Sequence, residues 1–106
     1  MIHNLKIKKA YADAICAGVK TFEVRREDDK HFEEGDIITF KVTDWDEYYK
    51  HGFWEASHGI ERRAYFVPYV LRHEDFPEGV PEGYCVFTIS PLPDELARYY
   101  TREAKK

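Results

Sequence analysis

Gly18-Val19-Lys20-Thr21-Phe22-Glu23-Val24-Arg25 is the stretch on which the reading of this chain turns. It follows an alanine-rich segment and reads as a turn that feeds a strand. Residues two apart in a strand share a face. That rule sends Phe22 and Val24 one way, toward a core. It sends Glu23 and Arg25 the other way, with Thr21 beside them and Lys20 at the strand mouth. An ammonium, a carboxylate and a guanidinium are then gathered within about two strand steps, roughly 7 Å each. Such a group makes a polar site. The same spacing also suits an ordinary surface ion pair, which is weak when exposed.

Upstream, His3 to Lys8 alternates apolar and basic residues and predicts a short strand. Lys9 to Ala17 predicts a helix whose stripe is Tyr11, Ala14, Ile15 and Gly18, with Gly18 as its stop. Downstream, residues 26–36 form a charged loop with Phe32 as its lone apolar anchor. Gly35 turns the chain into a half-buried strand at 37–43. Residues 44–61 interleave Trp45, Tyr48, Tyr49, Phe53 and Trp54 with charged groups and histidines. They read as a hairpin or long loop covering a barrel end, with a short strand at Trp54-Glu55-Ala56. Aromatics beside cations also suit base stacking.

Residues 62–73 are extended, but Pro68 cannot donate to a ladder, so an edge or a bulge is expected there. A loop follows at 74–82, then a strand from Tyr84 to Ser90. Asp94 opens a terminal helix with a Leu96, Tyr99 and Tyr100 stripe. Its early acids, Asp94 and Glu95, and its late Lys105 and Lys106 suit the helix dipole. Several short strands, one early helix and one added C-terminal helix predict an α+β fold: a small, partly open mixed β-barrel spanning 1–106 as one domain.

Composition bounds the function. Apolar residues make up 43% and aromatics 16%, which fits a globular chain with a real core. No apolar run approaches the ~20 residues of a membrane span. Met1-Ile2-His3-Asn4-Leu5 has neither a basic region nor an apolar core of a signal peptide. Cys16 and Cys85 are no disulfide framework and read as two reduced thiols, which gives a cytoplasmic location. The net charge of −4 argues against a nonspecific nucleic-acid binder, which needs a basic surface. Yet residues 1–26 carry six cations against Asp13 and Glu23, a balance of +4. A locally positive face on an acidic protein favours a small anionic or nucleotide ligand.

The remaining chemistry is sparse. His3, His31, His51, His58 and His73 lack the tight spacing of a zinc site, so no metal and no cofactor is expected. Neither a phosphate-cradling glycine loop nor a Gly-x-Ser-x-Gly elbow is present. Lys20, Glu23 and Arg25 are left as the site, with His3 and Tyr84 as outer candidates. A lysine beside a carboxylate either stays charged and binds an oxygen ligand, or loses its proton and acts as base or nucleophile. Arg25 favours the second and Glu23 the first.

Gly18-x-Lys20-x-x-Glu23-x-Arg25 resembles the signature of ASCH-domain proteins, relatives of the PUA RNA-binding fold. With His3-x-Leu5-Lys6-Ile7, the early helix, Gly35-Asp36-Ile37 and Glu82-Gly83-Tyr84, it looks like a small ASCH-like family of bacterial and phage proteins. The likeness covers residues 3–43 and 83–90. It implies a PUA-like barrel and an RNA, nucleotide or nucleoside partner. Ligand contacts would come from Lys20, Thr21, Glu23 and Arg25, with His3 and Tyr84 nearby.

One bacterial branch of that superfamily is an amidohydrolase of acetylcytidine nucleosides. Its pattern, Gly-x-Lys-Thr-x-Thr-x-Arg and then His-Phe-x-x-Gly-Asp, is similar to Gly18, Lys20, Thr21, Arg25 and His31-Phe32-Glu33-Glu34-Gly35-Asp36. The likeness would make Lys20 catalytic, with Glu23 moving the proton. Glu23 stands where the hydrolase has a catalytic threonine. The hydrolase's later helical glutamate has no clear counterpart, since Glu74 and Glu78 lie in a proline-broken segment. The expectations are therefore three: an RNA- or nucleotide-binding module, an amidohydrolase of a modified nucleoside, or a protein-interaction domain whose Glu23–Arg25 pair only braces the barrel.

Overall fold

A computed structural model describes residues 1–104; Lys105 and Lys106, expected at the end of the last helix, lie outside the described residues. The fold is α+β. The elements are β1 (Ile2–Ile7), α1 (Lys9–Cys16), β2 (Phe22–Arg26), β3 (Ile37–Asp46), β4 (His51–Trp54), a 3-10 turn (Gly59–Arg62), β5 (Ala64–Phe66), β6 (Val70–Arg72), β7 (Tyr84–Thr88), β8 (Ser90–Pro91) and α2 (Asp94–Ala104).

The strands form two sheets. The larger has the order β1-β3-β5-β8, with β4 attached to the far part of β3; the smaller is β2-β7-β6. β1 runs parallel to β3, and the other pairs are antiparallel. The chain crosses between the sheets at two corners. Pro68 sits at the first, between β5 and β6, where Val67 still exchanges hydrogen bonds with Gly35 and Asp36. A missing N–H there costs no ladder bond. Ile89 makes the second corner, between β7 and β8, donating to the Thr21 carbonyl at 3.0 Å. Among the described residues no ladder joins β1 to β2, so the two sheets do not close into a barrel. They leave a seam between those two edges.

The core lies between the sheets and α1. Phe32, Ile38, Phe40, Val42 and Phe87 are among its fully buried members. α1 contributes Ala12 and Ile15 and turns Tyr11 outward, contrary to the expected stripe. Lys9 to Cys16 is too short to present two wide faces, and the small Ala12 lets the helix sit close to the sheet. Gly18 ends the helix in the left-handed region at φ 76, and its N–H donates to Ile15 O at 3.0 Å. α2 likewise packs through Ala97; of the expected Leu96, Tyr99 and Tyr100 stripe, Leu96 and Tyr99 are about half exposed and face out, while Tyr100 is partly buried.

The phase of β2 also differs from expectation. Its residues alternate, but Glu23 is 4% exposed while Phe22 and Val24 are 44% and 51% exposed. The cause is the register with β7. Glu23 stands opposite Phe87 and Arg25 opposite Cys85, both core residues, so the polar face of β2 turns inward.

The segment at 44–61 does form a hairpin. β3 continues to Asp46, and Asp46 Oδ1 accepts from Tyr48 and Tyr49 N–H at 2.9 and 3.0 Å in the turn. The returning strand is His51–Trp54, ahead of the expected Trp54-Glu55-Ala56. Its aromatics stay exposed and cover no barrel end.

Phe32 does anchor the charged loop. It is 1% exposed, with ring centroids 4.7 Å from His3 and 4.8 Å from Phe87. Removing a buried phenyl group costs about 3–5 kcal/mol. Phe32→Ala is expected to lose that much in urea unfolding; a loss under about 1 kcal/mol would mean that the loop is anchored elsewhere.

Candidate functional site

The seam between β1 and β2 opens into a hollow of about 470 Å³. β2 supplies its floor, the end of β1 one wall through Lys6 and Lys8, and α1 the other wall through Tyr11. Lys20 reaches it from the turn after Gly18.

At its base lies a three-membered ionic group. Glu23 Oε1 accepts from Arg25 Nε at 3.0 Å and from Arg25 Nη2 at 2.7 Å. Glu23 Oε2 accepts from Lys20 Nζ, which also donates to the Phe22 carbonyl. Arg25 Nη2 donates across the seam to Lys6 O at 2.9 Å. The side chains of Lys20, Glu23 and Arg25 are 17%, 6% and 25% exposed. Lys20 Nζ also lies 5.6 Å from the Tyr11 ring centre and 5.2 Å from that of Phe22, within cation–π reach.

This arrangement has a clear chemical sense. Glu23 has its charge compensated by two cations and has both oxygens occupied. An ammonium offers three donors and a guanidinium five. Two of the Lys20 donors are spent internally, and Arg25 Nη1 makes no bond of its own among those described above. The hollow therefore presents fixed donors and two further lysines, flanked by aromatic edges. Oxygen-rich, anionic groups suit such a wall.

The structure thus unites Lys20, Glu23 and Arg25 and separates the other candidates from them. Thr21, beside Lys20 in the chain, does not line the seam hollow; it lines a neighbouring one of about 180 Å³, which Lys20 also borders, with Cys16, Arg63 and Tyr65. His3 is buried at the far end of β1, where its Nε2 lies 2.8 Å from Asp36 Oδ2. Tyr84 stands opposite Arg26, whose guanidinium lies 5.4 Å from its ring centre, and it does not line the hollow. His3 and Tyr84 are placed by the core and by the sheet end, not by the site. The segment after His73 is a turn with exposed Glu74 and Glu78, and neither lines the hollow. Tyr11, Lys6, Lys8 and Phe22 do line it. The sequence signals for the lysines were their alternation with Leu5 and Ile7 and the positive balance of residues 1–26. Nothing marked Tyr11, because helical spacing assigned it to the core. Cys85 is no nucleophile candidate: burial pushes its thiol up to about 11. No cluster among the described residues has the make-up of a metal site.

A family model matches residues 2–89, most of the chain, including both walls of the seam. The chain belongs to the DUF3850 family, described as a domain of unknown function. A comparison with curated proteins finds no match. The DUF3850 match ends at Ile89, before β8 and α2, so the hollow lies wholly within the family's span. No helix of this DUF3850 protein among its described residues is long and apolar enough to cross a membrane.

Two predictions follow from this geometry. Removing Glu23 leaves two cations facing each other in a part-buried seam. Breaking a buried pair costs about 3–5 kcal/mol. Glu23→Ala is expected at the lower end, since Lys20 and Arg25 keep some exposure; chemical denaturation measures it, and an unchanged midpoint would mean that the group braces nothing. Asp36 supplies the second. Burial alone would raise its carboxyl, but hydrogen bonds from His3 and the Glu33 N–H outweigh this and hold it below 3.8. A depressed value stabilises the fold above about pH 3.8, and that stability is lost as pH falls through the lower folded value. Asp36→Asn is expected to be less stable near neutrality and to lose less on acidification; equal acid sensitivity would remove Asp36 from the account.

Proposed function

We propose that the seam hollow binds a nucleotide, either free or as part of RNA. The observation that carries this reading is the buried Glu23 holding Lys20 and Arg25 as fixed donors, with Lys6 and Lys8 beside them. Phosphate and base oxygens accept from such donors, and the half-exposed Tyr11 and Phe22 rings offer a base an apolar flank. The resemblance of Gly18-x-Lys20-x-x-Glu23-x-Arg25 to ASCH-domain proteins supports the same ligand class. The two sheets meeting at Pro68 and Ile89 suit the partly open barrel of a PUA-like fold. The free thiols Cys16 and Cys85 fit a cytoplasmic site of action.

The contact between Lys20 and Glu23 favours a second reading, amide hydrolysis of an acetylated nucleoside. It is the weaker of the two. Hydrolysis needs a lysine able to give up its proton, whereas here Lys20 donates to two acceptors at once. The departures at Glu23 and at the later glutamate also count against it.

Thermal shift with ribonucleoside monophosphates, alongside an acetylcytidine deacetylation assay, tests both. A binder raises the melting temperature by mass action. Stabilisation by a mononucleotide is expected, with affinity falling about tenfold or more in Arg25→Ala, the loss of a charge-assisted contact. Product from acetylcytidine that disappears in folded Lys20→Ala would replace binding with hydrolysis. Neither stabilisation nor product would leave the ionic group as a brace, and the chain as an interaction domain.

A further inference from the structure

Lys6 lines three adjoining hollows. One is the seam. The second, about 580 Å³, lies over the outer face of β1, β3 and β4 and is walled by Lys8, Lys41, Trp45 and Trp54. The third, about 330 Å³, continues past Arg25 to Arg26 and Lys30. Together they form one track along the β1 edge.

The register explains the chemistry of this face. Phe40 and Val42 point into the core, so Lys41, Thr43 and Trp45 point out. Lys6 pairs with Lys41 across the parallel ladder, and Thr43 pairs with Trp54 across the hairpin. Gly52 stands opposite Trp45, so no cross-strand side chain covers that indole. Trp45 and Trp54 are 52% and 51% exposed.

Trp54 is held rigidly all the same. Its Nε1 donates at 2.9 Å to Oε2 of the buried Glu61, which also accepts from Val42 N at 2.6 Å. Lys41 Nζ lies 4.4 Å from the Trp54 ring centre. Asp44, which lines the second hollow, is occupied, accepting from the N–H groups of Trp45 and Lys9 at 2.8 and 3.2 Å; Asp29 lines the third hollow beside Arg26 and Lys30.

Lysines beside two exposed indoles, one of them fixed, fit one occupant best. The core of a protein interface is depleted in lysine. A duplex keeps its base faces stacked away from a flat ring. A single strand offers both the phosphates and the free base faces that this surface matches. We propose that a single-stranded polynucleotide runs along the track, its phosphates on Lys6, Lys8 and Lys41 and its bases stacked on Trp45 and Trp54. The proposal rests on the nucleotide reading of the seam, which it extends from one nucleotide to a strand.

The chain's two tryptophans both lie on this face, so their fluorescence reads it directly. The full chain is titrated with an oligonucleotide of about ten residues, as RNA and as DNA, with the same sequence as a duplex, and with a mononucleotide. A single strand of either sugar is expected to quench the emission and to bind at least about tenfold tighter than the mononucleotide. Trp45→Ala and Lys41→Ala are expected to weaken the oligonucleotide about 5- to 100-fold and leave mononucleotide binding unchanged. An oligonucleotide no tighter than the mononucleotide, a duplex that binds as well, or a Trp45→Ala variant with full affinity overturns the track. If the mononucleotide still binds through Arg25 in that case, the seam reading stands. If nothing binds, both fall.

Discussion

The fold depends on a buried carboxylate at an unclosed seam. Taking Glu23 out of water costs several kcal/mol, and only close cations offset it. Lys20 and Arg25 supply them, from three residues before and two residues after. Arg25 then donates to the Lys6 carbonyl. That carbonyl belongs to β1, which among the described residues has no ladder neighbour on that side. One guanidinium thus does across the seam part of what a row of backbone bonds would do in a closed barrel. The substitution also leaves space, because a side chain bridges a wider gap than a ladder. The hollow is the remainder of that gap.

Each neighbouring element brings one part of the group to its place. Gly18 takes the left-handed turn that ends α1, and this brings Lys20 back over the start of β2. β7 fixes the phase of β2 by setting Phe87 opposite Glu23. The corner at Ile89 ties the Thr21 carbonyl to the second sheet. Donors held from three directions need little reordering when a ligand arrives, which lowers the entropic cost of binding. The same economy couples stability to function, since any change to Glu23 alters the brace and the donors together.

Much of the outline was legible in the sequence, for reasons that differ by element. Ile38, Phe40 and Val42 announced β3 because one face of that strand is dry and the other wet. Gly18 announced the end of α1 because few other residues accept its backbone angle. Pro68 announced an irregular strand, and the structure makes it a corner. The grouping of Lys20, Glu23 and Arg25 was also legible, since their spacing is local. Their burial was not. Apolar Phe22 and Val24 look like the inner face until the register with β7 is known, and register is a long-range property. Tyr11 was misplaced for a related reason: helical spacing gives a stripe, but only the packing of Ala12 selects which stripe turns inward. His3 and Tyr84 share flanking motifs with the site in sequence, yet lie at a buried end of β1 and at a sheet end.

The uneven charge of the chain gives these local contacts a wider setting. The whole protein is acidic, and five of the six cations of residues 1–26 gather along the β1 and β2 edges, while Lys9 pairs with Asp13 on α1. At physiological salt a charge is felt over about 8 Å. An anion approaching the seam therefore meets Lys6, Lys8 and Lys20 before it senses the acidic remainder. A long duplex is too broad to stay within that range, and its flanks would meet acidic surface. On the proposed reading, the charge placement suits something narrow: a nucleotide, or a strand that follows the line from Arg26 through Lys6 to Lys41. Net charge alone argued against a nonspecific nucleic-acid binder; the placement of the charges is what the proposed narrow ligand would exploit.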